Sequence, residues 1–86
     1  MEKRLGIVAI VSNNKSNVVE VNDLISDFSE IVLARQGIPM PHKGISFISI
    51  VVEAEMNRIN ALTGKLGRIE GVEVKTIITK DKQLIN

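Results

Sequence analysis

The chain has 86 residues, 44% of them hydrophobic and 24% charged, with a net charge of +1. That is enough for one small domain with a single modest core, and the balance is that of a folded globular protein. There is no cysteine, which excludes disulfides, thiolate zinc sites and cysteine-ligated iron–sulfur clusters, and the near-neutral charge supplies no field to draw in nucleic acid or an anionic membrane.

The charged stretch MEKR leads into LGIVAIV (5–11), a continuous apolar run rich in β-branched residues that reads as a strand buried on both faces. The run is short even for a signal-peptide core and far below the roughly 20 residues needed to cross a bilayer; the longer run ISFISIVVEA (45–54) is too short as well. The expectation is a soluble cytoplasmic protein with no membrane segment. SNNKSN (12–17) is a polar turn, in which Asn17 with Glu20 three places on fits a capping box and Asn14 offers an earlier cap. Val18, Val21, Ile25 and Phe28 then recur at helical spacing with Leu24 beside them, giving an amphipathic helix.

EIVLARQG (30–37) returns to strand composition, and IPMPHKG (38–44), with both prolines and a glycine, reads as a loop. ISFISIVVEA is the second long apolar strand. Met56, Ile59, Leu62, Leu66 and Ile69 again form a helical stripe, and Gly71 is placed to end that helix with a positive φ. In VEVKTIIT (72–79) Val72, Val74, Thr76 and Ile78 alternate with Glu73 and Lys75, as a last strand requires. The expected domain spans 1–80, leaving 81–86 as a loosely held tail.

Strand, helix, strand, strand, helix, strand is the order of the α+β, ferredoxin-like βαββαβ sandwich, a four-stranded antiparallel sheet with two helices on one face. Its first and third strands are central. Those are the two that carry apolar residues on both sides: Val8 and Ile10 against Ile7 and Val11, Ile48 and Ile50 against Phe47 and Val51. Helices cover only one face, so the other is expected to pack against another subunit.

Chemistry-bearing residues are sparse. The stretch ALTGKLGRIEGV (61–72) has the look of a phosphate loop, but a P-loop needs glycine five places before Gly64, where Ile59 stands, and Ser or Thr after Lys65, where Leu66 stands. It also lies at the back of a helix, where the dipole favours cations. Gly64 costs a helix about 1 kcal/mol relative to alanine, and with Ala61 and Gly67 it makes a strip of small residues away from the apolar stripe. That strip is either tolerated surface or a close contact with another chain or a ligand. His42 is the single histidine, so with no cysteine one chain does not anchor a transition metal. No Ser or Thr has an evident histidine partner. Arg35 and Lys43 bracket the loop at 38–44 as an anion site or as solvated charges. RNA recognition on this strand order needs aromatic residues on the central strands, where only Phe47 is found. An enzyme is not expected, and neither are a metal, a cofactor or direct nucleic-acid binding.

VNDLISDFSEIVLARQGIP (21–39), ISIVVEA (48–54) and INALTGKLGRIEGVEVKT (59–76) resemble the small stand-alone family of iron-only hydrogenase system regulators. The combination of RxGIP with ALTGKLGxIxGVxVK carries the resemblance, which runs from about residue 4 to residue 79. That family is similar in fold to ACT domains and to the C-terminal domain of the nickel-responsive repressor. The resemblance implies an oligomeric regulatory module, with the sheet or its edge strands making the subunit contacts. The repressor's histidines and cysteine are lacking here, so nickel sensing is not implied, nor is DNA contact without its ribbon-helix-helix. ACT domains often bind amino acids at subunit interfaces near the loop after the first strand, which is SNNKSN here.

Two readings follow. One is a homo-oligomer, dimer or tetramer, that senses a small-molecule effector at an interface through Asn13 and Asn14, Arg35 and Gly37, and Thr63, Gly64, Lys65 and Gly67. The other is a protein–protein adaptor without a ligand. A dependence of oligomer state or melting temperature on a small molecule separates them.

Overall fold

The computed structural model describes residues 2–13, 17–40 and 43–79. Six elements follow in the expected order: β1 Arg4–Ser12, α1 Asn17–Asp27, β2 Val32–Met40, β3 Ile45–Ala54, α2 Met56–Gly67 and β4 Val72–Ile78. A single 3-10 turn, Ser29–Ile31, joins α1 to β2. The tail 81–86, His42 and Asn14 lie outside the described residues.

The sheet order is β2-β3-β1-β4, all neighbours antiparallel, which is the ferredoxin-like arrangement. β1 and β3 are central, as their two-sided apolar composition requires. Period-2 alternation assigns each of their residues to a face. Gly6, Val8, Ile10 and Ser12 of β1 face the helices with Ile48, Ile50, Val52 and Ala54 of β3, and all are buried. The helices close this face. Val21 and Ile25 of α1 and Ile59, Leu62 and Leu66 of α2 enter one core with Phe28, Ile31 and Ile69. Fully burying a side chain of this size stabilises by about 1.5–3 kcal/mol, so this one cluster carries the fold.

Three expectations change. The second strand begins at Val32, because Ser29–Ile31 is spent on the 3-10 turn that buries Ile31, and it runs on to Met40. Ile38 and Pro39, read as loop, pair with Phe47 and Ser46. Proline is tolerated there because β2 is an edge strand, where one row of backbone groups has no partner to lose. Asn17 is the first helical residue and not the cap before it, and its side-chain amide donates to the carbonyl of Glu70. Gly71 does adopt a positive φ, +83°. It serves the turn into β4, however, since α2 has already ended at Gly67.

Candidate functional site

The face of the sheet away from the helices is the most distinctive surface among the described residues. Register places its side chains in rows across the strands. One row runs Ile77, Ile7, Val51 and Ala34; the next Lys75, Ala9, Ser49 and Gln36; the next Glu73, Val11, Phe47 and Ile38. Ile7 is 48% exposed, Ile38 49%, Phe47 40% and Ile77 70%. Leu33, also exposed, sits in a β-bulge where Val32 and Ala34 pair with successive residues of β3. Apart from Glu53 at one margin, Glu73 and Lys75 are the charged residues of these rows, and both belong to edge strand β4. A hollow of about 300 Å³ is lined by Ala34, Arg35, Gln36, Ser49 and Val51.

The residues picked from sequence do not form one cluster. Asn13 directly follows β1 and is held at the corner where the α2–β4 turn passes. Its N–H donates to Gly71 C=O at 3.0 Å, and Asn17 donates to Glu70 C=O beside it. Gly71 is enclosed by these two amides: a Cβ there would lie 2.7 Å from Asn13 Oδ1 and 2.7 Å from Asn17 Nδ2. Sequence reading missed Asn17 as part of this corner, and Glu70 with it. Local spacing carries no sign of a contact that joins residues 53 apart in the chain.

Thr63, Gly64, Lys65 and Gly67 lie on the C-terminal half of α2, which runs toward that same corner. Thr63 Oγ1 donates to Asn60 C=O at 3.4 Å within the helix. A Cβ on Gly64 would meet only Arg68 Nη2, at 3.7 Å, and one on Gly67 would meet nothing within 4 Å. The strip of small residues therefore makes no close approach inside the chain. Lys65 is exposed in the last turn, where a cation suits the helix dipole.

Arg35 and Gly37 belong to β2, with β3 between that strand and β1. Arg35 does not bracket a loop. It pairs with Ile50, on the helix side of the sheet, and its guanidinium donates to Asn22 Oδ1 of α1.

At the far end of the molecule, Arg58 of α2 lies with its guanidinium carbon 4.3 Å from the centroid of the Phe28 ring. Its Nε donates to Glu30 Oε2 at 3.1 Å and Nη2 donates to the same oxygen. The hydrogen bond from Arg58 holds the Glu30 carboxyl below its ordinary value. A hollow of about 400 Å³ opens beside the pair, lined by Lys3, Glu53 and Glu55 among others. Among the described residues, no three His, Cys, Asp or Glu side chains converge on a metal-sized site. No helix among them is long and apolar enough to cross a membrane.

Comparison with known proteins agrees with the fold. The profile of the TM1266-like family, described as "Iron-only hydrogenase system regulator, putative", matches residues 4–76. The structure of protein TM1266 from Thermotoga maritima, itself titled uncharacterized, superposes with a TM-score of 0.87 at 40% identity, covering 92% of this chain and 100% of that one. The C-terminal domain of the MgtC protein from Mycobacterium tuberculosis gives 0.69 at 12% identity, covering 94% of this chain and 93% of that one. A formyltetrahydrofolate deformylase from Pseudomonas syringae pv. tomato gives 0.65 at 7% identity, over 94% of this chain but only 29% of the enzyme. The last two share the fold alone. No protein of curated function matches the chain.

Proposed function

This chain belongs to the TM1266-like family of iron-only hydrogenase system regulators, and from that premise we propose that it is a homo-oligomeric regulatory module of the cytoplasm, whose uncovered sheet face is a subunit interface and whose effector is a small molecule. One observation supports this reading above the rest. Ile7 and Ile77 stand in water on one row of the sheet and Phe47 and Ile38 on another, with the row of Lys75, Ala9, Ser49 and Gln36 between them, and large apolar side chains left exposed together on one face mark interaction surfaces. The family name describes a regulator, which supports regulation over turnover as the role.

The effector contacts fall into two sets. Asn13, Thr63, Gly64, Lys65 and Gly67, with Asn14 beyond the described residues, make one; Arg35 and Gly37 on the β2 edge make the other. Within one chain the two sets are separate, so a site using both is completed by a second copy. Native mass spectrometry, before and after denaturation to release bound molecules, tests the reading. An oligomer carrying a stoichiometric small molecule supports it, and a clean monomer contradicts it.

One observation favours the adaptor reading. The Asn13 N–H and the Asn17 amide are already engaged by the carbonyls of Gly71 and Glu70, which leaves the corner after β1 fewer donors for a ligand. An oligomer that binds a partner protein with no small-molecule dependence selects that reading.

A further inference from the structure

The two edges of the sheet are built differently. On β2 the ladder is interrupted by the bulge between Val32 and Ala34, and Pro39 near its end has no N–H to give. Both features blunt an edge against pairing with another chain. β4, at the opposite edge, keeps an unbroken register with β1 from Val72 to Ile78 and contains neither proline nor glycine. Its two charged residues, Glu73 and Lys75, are exposed and stand on the same face.

Hydrogen-bond alternation fixes which β4 groups point outward. Asn13 N–H donates to Gly71 C=O and Thr79 N–H to Leu5 C=O, both at 3.0 Å, at the two ends of the β1–β4 ladder. Paired residues of an antiparallel ladder alternate between bonded and non-bonded positions. Residues 73, 75 and 77 therefore turn their backbone groups toward β1, and 72, 74, 76 and 78 turn theirs away from it. The Val72 N–H is engaged by Ile69 C=O at 3.1 Å. Among the described residues, what remains on the outer edge of β4 is the carbonyl of Val72 and both groups of Val74, Thr76 and Ile78.

We propose that β4 pairs antiparallel with β4 of a second copy, about a two-fold axis at Val74. In that register Val74 N–H meets the partner's Val74 C=O and Thr76 N–H meets the partner's Val72 C=O, each bond repeated by symmetry. Glu73 then stands opposite the partner's Lys75, and Lys75 opposite the partner's Glu73. These are non-hydrogen-bonded positions, where facing side chains approach most closely. Neighbouring registers do not achieve this. Centring on Glu73 or on Lys75 sets like charges face to face, and centring on Thr76 sets Lys75 against Ile77. The charge pattern of one strand thus selects a single self-complementary register and opposes two others. The result is one sheet continuous through both copies, helices on one side and apolar faces on the other. This contact stands whether or not the open face is covered.

Sedimentation equilibrium of the full chain in four forms tests it: the parent, Glu73→Lys, Lys75→Glu, and the chain carrying both exchanges. Each single exchange turns two attractive pairs into repulsive ones and weakens the edge association by about tenfold. The double exchange restores it, because opposite charges face each other again. A one-to-one mixture of the two single variants forms the hybrid in preference to either parent pair. Amide exchange supplies a second readout, slowing at Val74 and Thr76 as protein concentration rises. Equal association in all four forms, or exchange at Val74 and Thr76 that ignores concentration, overturns the pairing. Repeating the series with Ile7→Glu on the open face keeps the two interfaces distinguishable: the charge pattern persists if the edge pairs, whatever the face does.

Discussion

Both faces of the sheet carry branched aliphatic residues, and those residues meet opposite fates. Val8, Ile50 and Val52 are 0% exposed beneath the helices, whereas Ile7, Phe47 and Ile77, on the same three-strand region, stand in water. Alternation along β1 and β3 puts branched aliphatic side chains on both sides, so hydrophobicity by itself does not separate core from surface. What separates them is cover. The helix face has α1 and α2 laid over it, and the other face leaves Ile7, Ile77, Phe47 and Ile38 uncovered on either side of a row of Lys75, Ala9, Ser49 and Gln36. Small soluble domains usually alternate apolar with polar on an uncovered face, and the departure from that habit is the reason for reading this face as an interface.

The comparison is most readily sharpened on the covered side. Ile50→Ala, which empties a site with no exposure, is expected to cost about 2–5 kcal/mol in denaturant unfolding. A loss no larger than that of an exposed residue breaks the contrast between faces. Next in size is Gly71→Ala. The positive φ alone costs a side chain about 1–2 kcal/mol, and the new Cβ presses on Asn13 and Asn17. Destabilisation should come with loss of the Asn13 amide's exchange protection, since that N–H is bonded to the Gly71 carbonyl.

Smaller and opposite in sign is Gly64→Ala. Nothing crowds the added methyl, and removing a glycine from a helix interior is worth about 0.5–1 kcal/mol, so the melting temperature should rise. Gly64→Leu extends the test to the strip: if assembly survives the larger side chain unchanged, the strip is surface. On the open face, Ile77→Ser is expected to move the stability of the isolated chain by no more than about 0.5 kcal/mol, far less than Ile50→Ala. The smallest effect concerns acid. Arg58 holds the Glu30 carboxyl below its ordinary 4.5, so the pair's contribution is present above that pH and fades as pH falls through the lower folded value. Arg58→Met should flatten the acid limb of a stability–pH curve slightly while leaving neutral behaviour to the packing against Phe28.

Most of the architecture was legible because it rests on periodicity. The central places of β1 and β3 followed from apolar residues on both of their faces, and the two helical stripes supplied Val21 and Ile25, and Ile59, Leu62 and Leu66, as core. The second strand was less legible for a physical reason. Its length runs through Gly37 and Pro39, which mark loops in most settings and are admitted here by an edge position that only the assembled sheet creates. Its facing was hidden too. From Val32, simple alternation would send Arg35 to the open side; the bulge shifts the count by one, and Arg35 meets Asn22 on the helix side instead. Asn13 was found as a loop residue, but its partners Gly71 and Glu70 lie far along the chain, so the corner they form has no local signature. The resemblance to the regulator family named the fold and the family together; no spacing in the chain names an effector.

Analytical ultracentrifugation of the parent chain beside Ile7→Glu, with circular dichroism confirming that both are folded, addresses the central claim most directly. The account predicts a parent that is oligomeric at micromolar concentration and a variant that sediments as a smaller species. A parent that is monomeric, or a variant of unchanged mass with a charge set into the apolar rows, would contradict it.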